Sequence, residues 1–263
     1  MTISRLACPF AISTVFCFLA AAAAAVKASD TELAKITERG ILLAEYDTIA
    51  GRATDALQAE HPAGGRLRLY IARKTDEGWV VDFGRLNSAQ DKFLVAYEAI
   101  QVGTTAKMEV RSFDPTKEES GWNLSAAKAI ETAIKAFGAM GRPYNIAVLP
   151  AKPDGVYVYL YPAQLESDVY LLGADVRYHI SADGARIIEK RQLHKTIIES
   201  RPVRNGVKAI VGSHTHILSD VPEDTDVLLV LARKPQVPEI VFAGAYMFTI
   251  DIDGRISVED RPH

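Results

Sequence analysis

The sequence predicts an α+β fold, in which helices and a mostly antiparallel sheet occupy separate stretches instead of alternating. Three observations carry this. Apolar residues recur at helical spacing through residues 30–59, strict period-two alternation follows from Leu67 to Tyr97, and a second helical stretch near 125–137 leads into a run of strands. The expected layout is N-terminal helices with an antiparallel meander, then a C-terminal helix with a mixed or antiparallel sheet.

The first residues read as an address. A single charge in residues 1–5 precedes an apolar run from Leu6 to Val26, and Val26-Lys27-Ala28 gives a small-residue cleavage pattern before Ser29. Residues 1–28 are therefore expected to be a signal peptide, and the protein to be exported, periplasmic or secreted. Cleavage favours no stable membrane association afterwards. Cys8 and Cys17 both lie in the signal, so the mature chain would have no disulfide to rely on. Removing 28 of 263 residues leaves 235, enough for one large domain or two small ones. Taking Arg5 and Lys27 from the 30 basic residues leaves 28 against 33 acidic, which gives no reason to expect nucleic acid as a partner.

Helices are expected over residues 30–38 and 41–59, with Leu42, Leu43, Tyr46, Ile49, Ala50 and Ala53 on the apolar side. His61-Pro62-Ala63-Gly64-Gly65 stops the second. The alternating sets Leu67/Leu69/Ile71, Trp79/Val81/Phe83 and Phe93/Val95/Tyr97, with turns at 76–78 and 87–91, predict the meander, and the aromatic members are read as core. The charged, Pro115-containing stretch 114–121 divides a unit at 29–118 from one at 119–263. Asn123 or Ser125 caps a helix to about Phe137. Strands follow at 144–149, 155–161, 170–180, 186–194 and 207–211, the hairpin turn Ser181-Ala182-Asp183-Gly184 joining two of them. The segments 227–232 and 239–251 come after the loop discussed next.

Most chemical-looking patterns have plainer explanations. Ser125-Ala126-Ala127-Lys128 has the S-x-x-K spacing of serine acyl enzymes, but no S-D-N or K-T-G accompanies it, so a capping serine and a solvated lysine account for it. Asp251-Ile252-Asp253-Gly254 lacks the spacing and closing glutamate of a calcium loop and reads as a hairpin turn. His179 and His194 are single histidines on predicted strands, the pattern of surface or satisfied interior residues, although His194 could approach the loop in space.

VGSHTHILSDVPEDTD, residues 211–226, is different. In H-x-H on an extended segment both imidazoles point to one side, because side chains alternate with period two, so both reach one ion. A strand at 207–211 would deliver His214 and His216 at its end, and the loop through Pro222 would return Asp226 as a third ligand. Zinc takes imidazole and carboxylate ligands, and three protein ligands plus water make that water a nucleophile. A loop of Thr215, Ser219, Asp220, Glu223, Asp224 and Thr225, with Asp224 or Thr225 capping a helix from Asp226, would need no metal at all.

Gly212-Ser213-His214-Thr215-His216 followed by Pro222-Glu223-Asp224-Thr225-Asp226 resembles the H-x-H…P-S-x-x-D signature of the JAB/MPN zinc metalloproteases. The resemblance covers at most residues 123–256. It implies zinc on His214, His216 and Asp226 and a peptidase or isopeptidase, or an inactive relative binding a peptide, protein or glycan. This chain departs from the signature in three ways. Glu223 stands where the family has serine, and the second histidine is one residue closer to the aspartate. The strand expected to carry the base, Arg142-Pro143-Tyr144-Asn145-Ile146, has no carboxylate, leaving Glu131 and Glu166 only by proximity. The alternative is a non-enzymatic binding or structural protein without metal.

Overall fold

A computed structural model describes residues 27–61, 67–204 and 206–262. The apolar run of the expected signal, and most of the stop at 61–65, lie outside the described residues. The fold is α+β.

The chain opens with one long helix, α1 (Asp30–Glu60), instead of the two helices the sequence predicts. Ser29 caps it, its side chain accepting from the Glu32 amide at 3.2 Å, and Asp30 and Glu32 complement the positive end of the helix. Gly40, which suggests a break, lies inside the helix because another helix crosses there: a Cβ at Gly40 would sit 2.4 Å from Val227 Cβ. Close approach, not chain reversal, explains this glycine.

Four strands then form an antiparallel meander, β1 (Leu69–Thr75), β2 (Gly78–Leu86), β3 (Phe93–Gln101) and β4 (Met108–Glu119). Residues 114–119, read from sequence as a connector, are the second half of β4. Pro115 is accommodated there by an irregularity: Tyr97 pairs Ser112 while Val95 pairs Lys117, so the residues around the proline bulge out of the ladder. Helix α2 (Trp122–Phe137) follows. Neither expected cap serves, since Gly121 holds the N-cap position and Asn123 is buried with its amide on Asp82.

The second sheet is antiparallel, in the order β5 (Tyr144–Pro150), β6 (Val156–Pro162), β8 (Val176–Ile180), β9 (Ile187–Gln192). The expected strand at 170–180 is split, because Gly173 and Ala174 adopt positive φ between β7 (Tyr170–Leu172) and β8. β7 pairs β10 (Ile198–Ser200), and β11 (Val203–Arg204) pairs β12 (Val207–Lys208) as a small ribbon. The strand that delivers the histidines is therefore β13 (Gly212–Thr215), not 207–211. β13 runs parallel to β14 (Glu239–Ala243), and β15 (Tyr246–Ile250) and β16 (Ile256–Asp260) extend that sheet antiparallel.

Helix α3 (Asp224–Ala232) is the crossover between β13 and β14, joined to the carboxyl end of β13 by the loop 216–223. Such strand ends in βα units are where ligands gather. A large apolar core joins the middle and end of α1 to the meander, α2 and the second sheet. A smaller one packs Leu33 and Ile36 of α1 against Val227 and Val230 of α3 and against Val241, Phe248 and Ile250. No helix among the described residues is long and apolar enough to cross a membrane.

The two helix glycines make opposite predictions. Gly51 is exposed with open space around it, so Gly51→Ala should stabilise by about 0.5–1 kcal/mol through helix propensity alone. Gly40→Ala should destabilise by about 1–3 kcal/mol, because overpacking against Val227 outweighs the same gain. Urea unfolding midpoints of the two variants test the pair, and a stabilising Gly40→Ala would contradict the close crossing.

Candidate metal centre

The structure brings His214, His216 and Asp226 together, as their spacing predicts, and adds His194. All four are buried, and their candidate ligand atoms lie within 4.8 Å of one another. His214 sits on β13 and His216 just beyond its end, both on the side facing α3. Asp226 lies in the first turn of α3, where its Oδ2 accepts the Glu223 amide at 2.7 Å. His194 arrives from the segment after β9. Its backbone amide donates to Asp175 Oδ1 at 3.0 Å, which ties the end of the β8–β9 hairpin to the site.

The distances describe a single small polyhedron. Nε2 of His216 is 2.9 Å from Nε2 of His194 and 3.2 Å from Nε2 of His214. Asp226 Oδ1 is 3.1 Å from both His194 and His214 Nε2, and its Oδ2 is 3.0 Å from His216 Nε2. A tetrahedral shell with metal–ligand bonds of about 2.0 Å has ligand–ligand edges of about 3.3 Å.

What stands behind each ring decides what these contacts mean. His194 Nδ1 is 2.9 Å from Asp175 Oδ1, and Thr225 Oγ1 donates to the other Asp175 oxygen. His214 Nδ1 is 2.9 Å from Glu239 Oε1, and Arg233 Nη1 donates to Glu239 Oε2 at 2.7 Å. His216 Nδ1 is 2.9 Å from the carbonyl of Val221, which can only accept. These partners assign the Nδ1 proton on all three rings, so every neutral ring turns its Nε2 lone pair inward. Three lone pairs and a carboxylate then face one point. Asp226 Oδ1 is buried and receives no hydrogen bond. Such a set could hold a cation, and a carboxylate or carbonyl behind each imidazole is the outer shell that metal-binding histidines use.

Without a metal, protons must do that work. Burial disfavours the charged form of His194, but the negative charge of Asp226 and the bond to Asp175 outweigh it and raise the pKa to about 11. His214 is raised to about 9 on the same balance, with Asp226 and Glu239 opposing burial. Burial alone would raise Asp226, yet the surrounding histidines hold it well below the usual carboxylate range.

The other residues singled out in the sequence lie elsewhere. His179 lies 3.0 Å from the Asp154 carbonyl, with its ring beside Tyr157, away from the cluster. Glu131 is exposed on α2, and Glu166 is exposed and 3.6 Å from Arg201, so neither belongs to the cluster. Glu223 is buried with its carboxylate on Arg191 at 2.6 Å. The residue that reasoning from sequence underweighted is His194. Its signal was the hairpin register: with Val176 opposite Gln192, Asp175 comes level with Leu193 and His194. No family model, curated protein or solved structure matches the chain.

Metal binding must displace the protons on His194 and His214, so between pH 6 and 8 affinity should rise about tenfold per pH unit for each proton released, about a hundredfold per pH unit for the two together. In the metal-free protein the dependence has the opposite sign. Both pKa values are raised on folding, so their stabilising contribution is complete below pH about 6.5 and is lost as pH climbs through about 9 and then about 11. Titration calorimetry in two buffers of different protonation enthalpy counts the protons. Release of none would contradict the assignment.

Proposed function

We propose that this chain is an exported metal-binding protein that holds one zinc ion on His194, His214, His216 and Asp226, and that the ion has a structural and not a hydrolytic role. The observation that carries this reading is His194. It occupies the fourth place of the shell, beside Nε2 of His216 and Oδ1 of Asp226. Catalytic zinc keeps one position for water, whereas structural zinc is closed by four protein ligands. Asp175 and Glu239, the carboxylates closest in the network, lie behind imidazole rings and already accept their Nδ1 protons, which leaves neither to activate a water.

Zinc suits the donor set. Three imidazoles and one carboxylate at near-tetrahedral edges fit a d¹⁰ ion of borderline softness, while calcium and magnesium take oxygen shells of higher coordination number. When bound, zinc would supply a fixed positive charge to the buried Asp226. His194, His214 and Asp226 would then tie the end of the β8–β9 hairpin, the third sheet and α3 into one unit. The apolar run 6–26 supports export, and both cysteines fall within it, so a site without thiols suits a compartment where free thiols would oxidise. The H-x-H…D spacing supports a relation to the JAB/MPN proteins as a non-hydrolytic relative. Glu223 in place of serine and the carboxylate-free strand β5 are consistent with lost catalysis.

Elemental analysis of the untagged protein tests the metal. One zinc per chain is expected, with His214→Ala/His216→Ala losing it. Cobalt substitution tests closure: the visible spectrum of the wild type should not change with azide, whereas His194→Ala should bind azide at the vacated position. A wild-type spectrum that responds to azide would restore the open, hydrolytic reading, and no zinc in either protein would leave a metal-free structural protein.

A further inference from the structure

Outside the histidine cluster, three guanidinium groups from three elements line one cleft of about 370 Å³, within the size range of small-molecule sites. Arg39 comes from α1, Arg177 from β8 and Arg191 from β9. Each is held from behind by a buried carboxylate. Arg39 Nε lies 3.0 and 3.1 Å from the two oxygens of Asp224 and its Nη2 lies 2.8 Å from Oδ1, while Arg177 Nη1 lies 2.6 Å from Oδ2. Arg191 donates Nε and Nη2 to Glu223 Oε1 at 3.2 and 2.6 Å. Arg177 is 8% exposed and its guanidinium lies over the Tyr157 ring at 5.0 Å, so it is fixed in place.

This arrangement exceeds what the carboxylates require. One arginine neutralises Asp224, and two are present. Three positive charges face two negative ones, and among the described residues Arg39 Nη1, Arg177 Nε and Nη2, and Arg191 Nη1 have no acceptor. Exposed Lys35 and Glu32 on the rim cancel each other. Ile36 and Val221 add an apolar wall, and exposed Leu218 lies onward from Arg191 and Val221.

We propose that this cleft binds the carboxylate of a small organic acid, its head group on the free donors of Arg39, Arg177 and Arg191 and its apolar body along Ile36 and Val221. Planar guanidinium forks match carboxylate geometry. The proposal stands without the metal.

Backbone-amide NMR titrations of the full chain with hexanoate, acetate and inorganic phosphate test it, in about 150 mM salt to screen nonspecific attraction. Hexanoate should saturate in the low millimolar range, with shifts confined to residues 29–39, 177, 191 and 221–223, and acetate should bind more weakly. Arg191→Gln should weaken hexanoate about tenfold. Should that variant fail to fold, Lys35→Glu decides, because Lys35 is exposed on the rim and its reversal should weaken binding about threefold without changing the fold. The proposal is overturned by hexanoate shifts that stay linear to about 50 mM, by phosphate binding as tightly as hexanoate, or by Lys35→Glu binding like the wild type.

Discussion

A carboxylate with no access to water, Asp226, sets the terms for the C-terminal part of this fold. Burial of an ionised group costs several kcal/mol unless partners compensate, and deleting one partner of a buried pair typically costs about 3–5 kcal/mol. Here the compensation comes from imidazoles drawn from two separate chain segments, which must converge for the helix to seat at all. The same demand is repeated by its neighbours. Glu223, Asp224 and Thr225 are also buried, and each is satisfied on a different element: Arg191 on β9, Arg39 and Arg177 on α1 and β8, and Asp175 before β8. Tyr159 on β6 donates to Asp224 as well, at 2.7 Å. The N-terminus of α3 is thus a polar hub on which four other elements are indexed.

That hub orders two distinct environments from adjacent residues. Asp226 faces the histidines, while Glu223 and Asp224 face outward to the arginines. The amide of Glu223 donates to Asp226 Oδ2, so the backbone of one turn links the two sides. Arginines on one side and imidazoles on the other give three carboxylates within one turn, Glu223, Asp224 and Asp226, buried partners. The apolar cores meet around this point, one on each side of the α1–α3 crossing at Gly40.

Much of this was legible in the sequence, and the parts that were not share a cause. Period-two alternation found the meander, and the same rule placed His214 and His216 on one side of a strand. Local spacing is a property of the chain, so it can be read directly. The residues 223–226 have the composition of an exposed loop, and nothing local distinguishes a solvated carboxylate from one whose partners lie 32 to 185 positions away, as they do for Glu223 and Asp224. His194 was underweighted for the same reason, since its meaning comes from Asp175 across a hairpin and from β13 across the fold. Gly40 misled in the other direction: a residue that breaks an isolated helix is also the one that lets two helices touch.

In the proposed site the three imidazoles and Asp226 form a closed shell around one ion. Zinc-edge X-ray absorption on the purified, untagged protein measures that shell directly. A closed shell gives four nitrogen or oxygen neighbours at about 2.0–2.1 Å, with scattering from three imidazole rings and no bound water. A shell with two imidazoles and one or more waters, leaving His194 out, would contradict it and put an open, water-bearing metal in its place.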